Sequence, residues 1–495
     1  MQRFVRGVPM RLRAIEHHNS FRRGISHALS CGILALCLLV ALGSVHSGPG
    51  KKAISYEDLP IALCSWLEQQ NIGRENFRAR IAEINQKTSE REIWGEYDHL
   101  IFFLLQSSRF TSQPRIEPAL SAYEFVRGLS AADASRFLTD ESRDLPAAGK
   151  IPGAVNVRIR DFIKAISRER QDERMAYFAA LLRQNANPAI PLAQRLQSEY
   201  VRAMKFLYRK EFASRAVKPS ELAAHVASLY QERGHSTDTQ IEANFAVQTA
   251  LAALKAQSPE TRLSRILIVG PGMDFAPRTD LIDLFGPQSY QPFAVADALL
   301  GLKLTAESQL QIHCVDINDR VIAHLQNFKR RKEVSLSLLS GVKESDARSL
   351  AEDYKTYFRE FGRSIGFETA LEVPSKFSGH LKKTLLVRPA IVKAISADRL
   401  NIVTERYQDS PQYDLVIVTN VFPYFSAPEL LFALTNIAAM MSDGGYLIHN
   451  ELQTVSADFI APLGLPLQQA RTVMITSGDK APLFDGVAIH RKRRT

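Results

Sequence analysis

Arg265-Ile-Leu-Ile-Val-Gly-Pro-Gly-Met-Asp274 is the stretch of sequence that decides the fold. Its four apolar residues at 266–269 follow one another without polar alternation, as in a strand that is covered on both faces of a parallel sheet. Gly270 and Gly272 then permit a sharp turn and a close approach to a ligand, because neither carries a Cβ atom. Ligands of α/β sheets bind outside the carboxyl ends of the strands. The stretch therefore predicts a nucleotide-type site at this turn.

Strands and helices alternate after this turn, which predicts a Rossmann-like α/β domain with a seven-stranded, mostly parallel sheet and flanking helices. The predicted strands are 266–269, 311–315, 401–404, 414–419, 445–449, 471–476 and 486–490. The predicted helices are 293–302, 320–328 and 428–441. Residues 329–398 interrupt the alternation. With a strong helical stretch at 344–361, they are predicted to form a helical insertion.

The part of the chain before this domain has a different pattern. Residues 51–236 show apolar residues at three- and four-residue spacing with charges between them, which predicts an all-helical N-terminal domain. Ser236, Thr237 or Asp238 is predicted to cap a helix at 240–254, because short polar side chains accept hydrogen bonds from free backbone N–H groups. The α/β domain is then expected to occupy residues 237–495.

The first fifty residues form a basic region, an apolar core at 28–45 and a small-residue exit, which is the pattern of a secretory signal peptide. The core is nearly long enough to remain in a bilayer as an anchor. We therefore expect export, or membrane association through residues 25–45, with a cytoplasmic location as the alternative. A buried helix of a soluble domain is less expected beside so many arginines.

The net charge of +10 does not predict nucleic-acid binding. Six arginines oppose Glu16 in the first fifty residues, and residues 491–494 add four further positive charges. The remaining body of the chain is close to neutral, whereas a phosphate backbone requires a broad basic face. The four cysteines show neither metal-binding nor disulfide spacing, so no metal site is predicted.

Asp316 ends the second predicted strand of the α/β domain, Gln311-Ile-His-Cys-Val-Asp316. A carboxylate at that position can accept hydrogen bonds from both hydroxyl groups of a ribose. The usual offset from the glycine turn is about twenty residues, and here a long loop increases it. The alternative role for Asp316 is a strand-end turn residue or a helix cap.

These motifs together resemble the class I S-adenosylmethionine-dependent methyltransferases. Ile266-Leu-Ile-Val-Gly-Pro-Gly272 resembles the first motif of that family, and Val315-Asp316 resembles the second. Three later stretches, at 401–404, 413–420 and 441–448, resemble the third strand, the fourth strand and the helix–turn–strand that follows. The resemblance covers roughly the last half of the chain. It implies S-adenosylmethionine as the cosubstrate and a methyl acceptor that the sequence does not identify.

The resemblance also implies a set of cosubstrate-binding residues, namely Gly270, Pro271, Gly272, Asp274, Asp316, Ile317 and Asn420. The glycines would line the methionine part, Asp316 would hold the ribose, and Asn420 with the aromatic residues after it would lie near the reacting centre. Packing against the sheet edge is an equally good role for those aromatics. No catalytic base is predicted. Asp274 and Asp280 are candidates, and they are equally plausible as turn or capping residues.

Two departures from the family pattern keep other functions open, namely Ile268 and Asp274, which stands at the third glycine position. Ile268 stands where the family often has an acid, and an apolar residue there also occurs in aminopropyltransferases related to spermidine synthase. Phe275 stands where a nicotinamide-binding turn needs glycine or alanine, and no Gly-Lys-Ser/Thr follows, which excludes a P-loop. A non-catalytic, membrane-tethered binding protein with the same fold is the third hypothesis, because the N-terminus is apolar and no base is evident.

Overall fold

The structure is a computed structural model that describes residues 50–494, except 140–150, 169–171, 275–281, 346–347, 409–411, 452–456 and 479–481. The predicted signal peptide or anchor thus lies outside the described residues and stays a prediction. None of the described helices combines the length and the apolar character that a membrane crossing requires. Lys51–Thr495 form one compact unit. The predicted boundary near residue 236, between the N-terminal domain and the α/β domain, stays a prediction.

A seven-stranded sheet is formed by β2 (Arg265–Val269), β3 (Gln311–Asp316), β8 (Ile395–Arg399), β10 (Tyr413–Val418), β11 (Met441–His449), β12 (Leu467–Met474) and β14 (Phe484–Arg491). The order of these strands across the sheet is β12-β14-β11-β10-β2-β3-β8. The neighbours from β8 to β11 are parallel, with Ile268 opposite Cys314 on one side and Ile417 on the other. β14 is antiparallel to both β11 and β12. The sheet is therefore mixed.

The third strand of the parallel part does not lie where the sequence predicts it. Residues 401–404 form a turn, in which the backbone carbonyl of Asn401 accepts from the N–H groups of Thr404 and Glu405. The strand is Ile395–Arg399, whose Ala397 lies opposite Cys314 of β3. Its side chains alternate between buried and more exposed. A strand covered on both faces is expected to be a continuous apolar run. Because Ile395–Arg399 alternates instead, its sequence does not predict a strand of the parallel sheet.

The predicted helical insertion contains a second sheet. β4 (Val334–Leu339), β7 (Lys382–Val387) and β6 (Gly366–Thr369) pair antiparallel in the order β4-β7-β6. The helix expected at 344–361 is shorter, Glu352–Glu360. The correction follows from Val-Ser-Leu-Ser-Leu-Leu at β4, whose period of two is that of a strand with one covered face. Two short strands, β5 (Ser349–Leu350) and β13 (Thr476–Ser477), also pair.

The N-terminal part is mostly helical but is not all-helical. It begins with β1 (Lys51–Ala53), which pairs antiparallel with β9 (Glu405–Tyr407). Its helices are α1 (Cys64–Gln69), α2 (Phe77–Gln106), α3 (Pro118–Arg127), α4 (Ala131–Thr139), α5 (Gly153–Ile166), α6 (Glu173–Gln184), α7 (Leu192–Glu211) and α8 (Pro219–Glu232). Apolar residues from these helices share one continuous core with a face of the large sheet, as Phe103 and Ile268 illustrate.

The remaining helices cover the sheet. They are α9 (Ile241–Gln257), α10 (Gln291–Gly301), α11 (Asp319–Phe328), α12 (Glu352–Glu360), α13 (Pro389–Ala394), α14 (Ala427–Met440) and α15 (Ala457–Ile460). A second apolar cluster joins α14 and the start of the described chain to the other face of the sheet. The predicted side-chain cap of α9 is wrong, because the residue before the helix is Gln240 and its side chain makes no capping hydrogen bond. Residues 236–238 instead pack against the glycine turn.

Candidate functional site

A cavity opens at the carboxyl ends of β2, β3 and β10, where the sequence predicts a ligand. It encloses about 1050 Å³, including its mouth to solvent. Six of the seven predicted site residues line it: Gly270, Pro271, Gly272, Asp316, Ile317 and Asn420. Residues of the N-terminal part line it as well, among them Thr88, Arg91, Glu92 and residues 235–239. The fold thus brings six of the predicted residues together and adds a wall from the N-terminal part.

Two other segments of the chain pack against the glycine turn. Gly270 and Gly272 have φ angles of 68° and 69°, in the left-handed region that favours glycine. A Cβ atom on Gly270 would lie 2.6 Å from Cγ2 of Val421, and one on Gly272 would lie 2.7 Å from the carbonyl oxygen of Thr237. The missing side chains therefore admit Val421 and Thr237, rather than a ligand, at those two positions. The Met273 N–H donates to the same Thr237 carbonyl at 2.6 Å.

Asp316 faces the cavity from the end of β3. The residue is only 9% exposed, and its carboxylate accepts a hydrogen bond from the Asn318 N–H at 2.9 Å. Burial raises the pKa of Asp316 to about 7, although the backbone N–H groups of Asn318, Gly272 and Ile317 act in the opposite direction. A carboxyl group that is buried and only partly satisfied can accept donors from a ligand. The predicted helix cap is supplied instead by Asn318, whose side chain accepts from the first N–H groups of α11.

Asp274 is not brought to the cavity wall. Its backbone forms a bridge with Gln288, and its carboxyl group lies near Arg174, Asp238 and His99. Burial raises the pKa of Asp274 to about 7. The other candidate base, Asp280, lies outside the described residues. Neither aspartate is therefore placed by the structure as a group that touches a ligand in the cavity.

Asn420 stands at the end of β10 in an uncommon backbone conformation. Its φ of 58° lies in the left-handed region, which asparagine tolerates better than most residues. The Asn420 N–H donates to Oδ1 of Asn450 at 2.9 Å, and Nδ2 of Asn450 donates back to Oδ1 of Asn420 at 3.1 Å. This reciprocal pair ties the end of β10 to the end of β11. Strained backbone of this kind concentrates at functional sites.

The wall from the N-terminal part is built around Arg91, which the sequence did not single out. Its guanidinium donates to three backbone carbonyls, those of Tyr230, Arg233 and Tyr424. The carbonyl of Arg91 in turn accepts from the His235 N–H at 2.8 Å. Arg91 therefore joins α2 and α8 to the loop after β10. No local motif marks such a residue, because its partners lie far away in sequence.

His235 and Tyr424 complete this wall, with their ring centroids 5.2 Å apart. Burial lowers the pKa of His235 well below its usual value, with further lowering by nearby arginines. Its ring is therefore neutral near pH 7, and Nε2 has no hydrogen-bond partner within the described part of the chain. The Tyr424 ring also packs at 5.6 Å from that of Tyr230. Tyr424 therefore packs against the N-terminal part and also lines the cavity.

Glu451 and Asp485 form an acidic pair beyond Asn420 that the sequence did not reveal. Burial, together with a smaller contribution from the Asp485 charge, raises the pKa of Glu451 to about 8. Burial also raises the pKa of Asp485 to about 6. Asp485 accepts from the Gly486 N–H at 2.8 Å and from Nδ2 of Asn450 at 3.4 Å. Neither acid lies in a recognisable sequence motif. The two are close only because β11 and β14 are neighbours in the sheet.

We expect these carboxyl groups to give the ligand-free protein an unusual pH dependence. The pKa values of Asp274, Asp316, Asp485 and Glu451 are all raised above those of the unfolded chain. Such groups contribute stability that is fully present below the unfolded pKa near 4 and is lost as pH rises through 6–8. The melting temperature should therefore fall by several degrees between pH 6 and 8, because each kcal/mol lost from the free energy of unfolding lowers it by roughly 1 °C or more.

Differential scanning calorimetry across this range tests the prediction. The histidines act in the other direction at lower pH, since the pKa of His449 is lowered to about 3 by burial and that stabilisation is lost as pH falls below about 6.5. Below pH 6.5 the histidine and carboxyl contributions oppose each other, so the carboxyl groups are tested by the slope between pH 6 and 8. Asp316→Asn and Glu451→Gln should each flatten that slope. A melting temperature that rises from pH 6 to 8 would contradict the assignment.

The large α/β sheet carries the glycine turn after β2, the acid after β3 and a closing antiparallel strand pair, which are features that the sequence resemblance to methyltransferases implies. No protein-family model matches the chain, and a comparison with curated proteins gives no match. Solved structures do match it over about half its length.

Three such structures are methyltransferases. The N-methyltransferase NodS from Bradyrhizobium japonicum WM9, in complex with S-adenosyl-L-homocysteine, is 14% identical over 50% of this chain and 85% of its own, with a TM-score of 0.25. Magnesium protoporphyrin IX methyltransferase from Synechocystis PCC 6803, with bound SAM, is 10% identical over 58% and 93%, with a TM-score of 0.25. A TehB-like SAM-dependent methyltransferase from Corynebacterium glutamicum is 12% identical over 49% and 88%, with a TM-score of 0.24. With TM-scores this low, a functional assignment rests on the cavity of this chain alone.

Proposed function

We propose that this chain binds S-adenosylmethionine in the cavity beside the glycine turn and transfers its methyl group to an acceptor. The observation that supports this is the placement of Asp316. Its buried carboxyl group ends β3 and lines the same cavity as Gly270 and Gly272. A ribose offers two neighbouring hydroxyl donors, and a carboxylate at this strand end can accept from both.

The charges of the cavity wall also suit the proposed cosubstrate. Glu92, Asp238, Asp316 and Glu429 line it, and a sulfonium carries a positive charge. When bound, S-adenosylmethionine supplies a methyl group that is already activated for transfer. The protein then needs chiefly to position the acceptor in line with that methyl group and to exclude water. Arg91 and residues 235–239 supply the covering wall on the side away from the sheet.

Replacing Asp316 with alanine is expected to weaken S-adenosylmethionine binding by about 100-fold. Two hydrogen bonds to a carboxylate contribute roughly 1.5 kcal/mol each, and 1.4 kcal/mol corresponds to a factor of ten. Isothermal titration calorimetry with S-adenosylmethionine and S-adenosylhomocysteine measures the change. Asp353→Asn on the exposed side of α12 is the matched control and should bind like the wild type. Unchanged affinity in Asp316→Ala would remove the ribose assignment.

Aminopropyl transfer is the second candidate, and one observation favours it. Arg91 is the single arginine or lysine among the described residues that line the cavity, and three backbone carbonyls already engage its guanidinium. Decarboxylated S-adenosylmethionine lacks the carboxylate that would need a cationic partner. Turnover assays with both cosubstrates separate the two functions. A preference for the decarboxylated form would favour aminopropyl transfer.

A further inference from the structure

Glu451 carries a buried carboxyl group with no side-chain partner among the described residues. The residue follows Asn450 directly after β11 and is 8% exposed. Within the described part of the chain, neither of its carboxyl oxygens makes a hydrogen bond. A buried polar group without hydrogen-bond partners destabilises the folded protein, and a charged group does so more strongly. An arrangement that persists despite this penalty points to a function for the group.

A second acid makes the arrangement still less favourable without a ligand. The Asp485 charge acts on Glu451, and no lysine, arginine or histidine among the described residues offsets it for either acid. Two carboxyl groups that share a site cannot both ionise easily, so one keeps its proton near neutral pH. A cation that enters the site would remove this repulsion. An anionic ligand would be repelled by the same pair.

The site lies next to the proposed cosubstrate cavity. The backbone N–H groups of Asn420 and Val421 approach the Glu451 carboxyl closely enough to lower its pKa. Asn420 and Val421 also line the cavity itself. The reciprocal hydrogen bonds between Asn420 and Asn450 fix the backbone beside both the cavity and Glu451. A group bound at Glu451 would therefore lie beside the end of β10, next to the cavity.

We propose that the methyl acceptor is a primary or secondary amine and that the Glu451 carboxylate binds its ammonium form and takes its proton. This inference rests on the proposed methyl transfer and narrows its acceptor. Proton transfer to Glu451 leaves a neutral amine, whose lone pair attacks the methyl carbon. A carbon–nitrogen bond forms, the carbon–sulfur bond breaks, and its electron pair stays on sulfur. The products are a methylated ammonium and S-adenosylhomocysteine, and Glu451 then releases its proton to solvent.

The chemistry of the acid pair favours an amine over other acceptors. An ammonium offers two or three N–H donors and a positive charge, so it can satisfy both Glu451 oxygens and the neighbouring Asp485. An alcohol offers one donor and no charge. A general base is most effective when its pKa lies near the working pH, and Glu451 meets this condition because burial raises its pKa to about 8. Glu451 would therefore be a catalytic residue that touches the acceptor.

Calorimetric titration of the full-length protein, saturated with S-adenosylhomocysteine, tests the inference. The probes are ethylammonium, butylammonium and benzylammonium chloride at pH 7.5, each beside the alcohol of the same carbon skeleton. We expect at least one ammonium to bind ten times more tightly than its alcohol. Glu451→Gln, which keeps the shape of the side chain, should reduce that preference to less than threefold while binding S-adenosylhomocysteine like the wild type.

Asp443→Asn is the matched control, because Asp443 lies near the opposite end of β11 and pairs with Lys492 at 3.6 Å. This variant should keep the full preference for the ammonium probe. The inference is overturned if no ammonium binds more tightly than its alcohol, or if Glu451→Gln keeps the preference. Either result leaves methyl transfer itself standing. Failure of the wild type to bind S-adenosylhomocysteine would instead reject the proposed function.

Discussion

Gly95→Ala is expected to destabilise the protein by several kcal/mol and to abolish cosubstrate binding. Gly95 lies inside α2, where alanine would ordinarily stabilise a helix by about 1 kcal/mol. A Cβ atom there would lie 1.7 Å from the backbone carbonyl oxygen of His235. Because backbone cannot rotate away as a side chain can, the loop at 235–239 would have to leave the cavity wall. Its hydrogen bond from Met273 to Thr237 would be lost with it.

The matched control is Gly153→Ala at the start of α5, where an added Cβ atom meets nothing within 4 Å. That variant should be as stable as the wild type or slightly more stable. Gly234→Ala provides a second arm, because its Cβ atom would lie 2.2 Å from the Gly95 nitrogen. Thermal unfolding and calorimetry with S-adenosylhomocysteine give the two readouts. A Gly95→Ala variant that binds normally would show that the loop at 235–239 is dispensable for the cavity.

Gly272→Ala is expected to lower cosubstrate affinity more than tenfold and stability by about 3 kcal/mol. Two effects add. A left-handed backbone is unfavourable for alanine by roughly 1–2 kcal/mol, and the new Cβ atom would lie 2.7 Å from the Thr237 carbonyl oxygen. Overpacking of this kind typically destabilises by about 1–3 kcal/mol. The N–H of Gly272, which faces Asp316, would shift with the turn.

Gly464→Ala separates the two effects. Gly464 has nearly the same conformation, with φ of 66°, but an added Cβ atom meets nothing within 4 Å. It should therefore show the backbone penalty alone and keep wild-type affinity for the cosubstrate. Chemical denaturation of both variants, followed by calorimetry, measures the difference. If the two variants lose equal stability, the contact with Thr237 does not constrain the turn.

The parts of the fold that the sequence predicts are those whose signals are local. The buried run before Gly270 and the acid at Asp316 each depend on residues that are adjacent in the chain. The strand at 395–399 was missed because its alternating pattern indicates a strand covered on one face only, whereas pairing with β3 places it in the central sheet. The sheet inside 329–398 is not predicted because the helical spacing at 344–361 is a stronger local signal than the short period-two pattern of β4.

The residues of the site also divide into those with a local sequence signal and those without one. Gly270, Asp316 and Asn420 are found from strand ends, and the structure brings them to one cavity. Arg91 and Glu451 could not be found, because their roles come from partners that only the fold brings near. Asp274 was predicted from its place after the glycine turn. The structure turns it toward Gln288 instead, through a backbone bridge.

The pairing of β1 with β9 has a consequence for how the chain must fold during its synthesis. Arg406 of β9 donates to Asp58, 348 residues earlier, and Arg91 donates to the backbone carbonyl of Tyr424, 333 residues later. A ribosome releases the first of these residues long before the second, since synthesis proceeds at about 5–20 residues per second. The early helices therefore keep their apolar faces exposed until the later strands have been synthesised. We expect them to depend on chaperones during that interval.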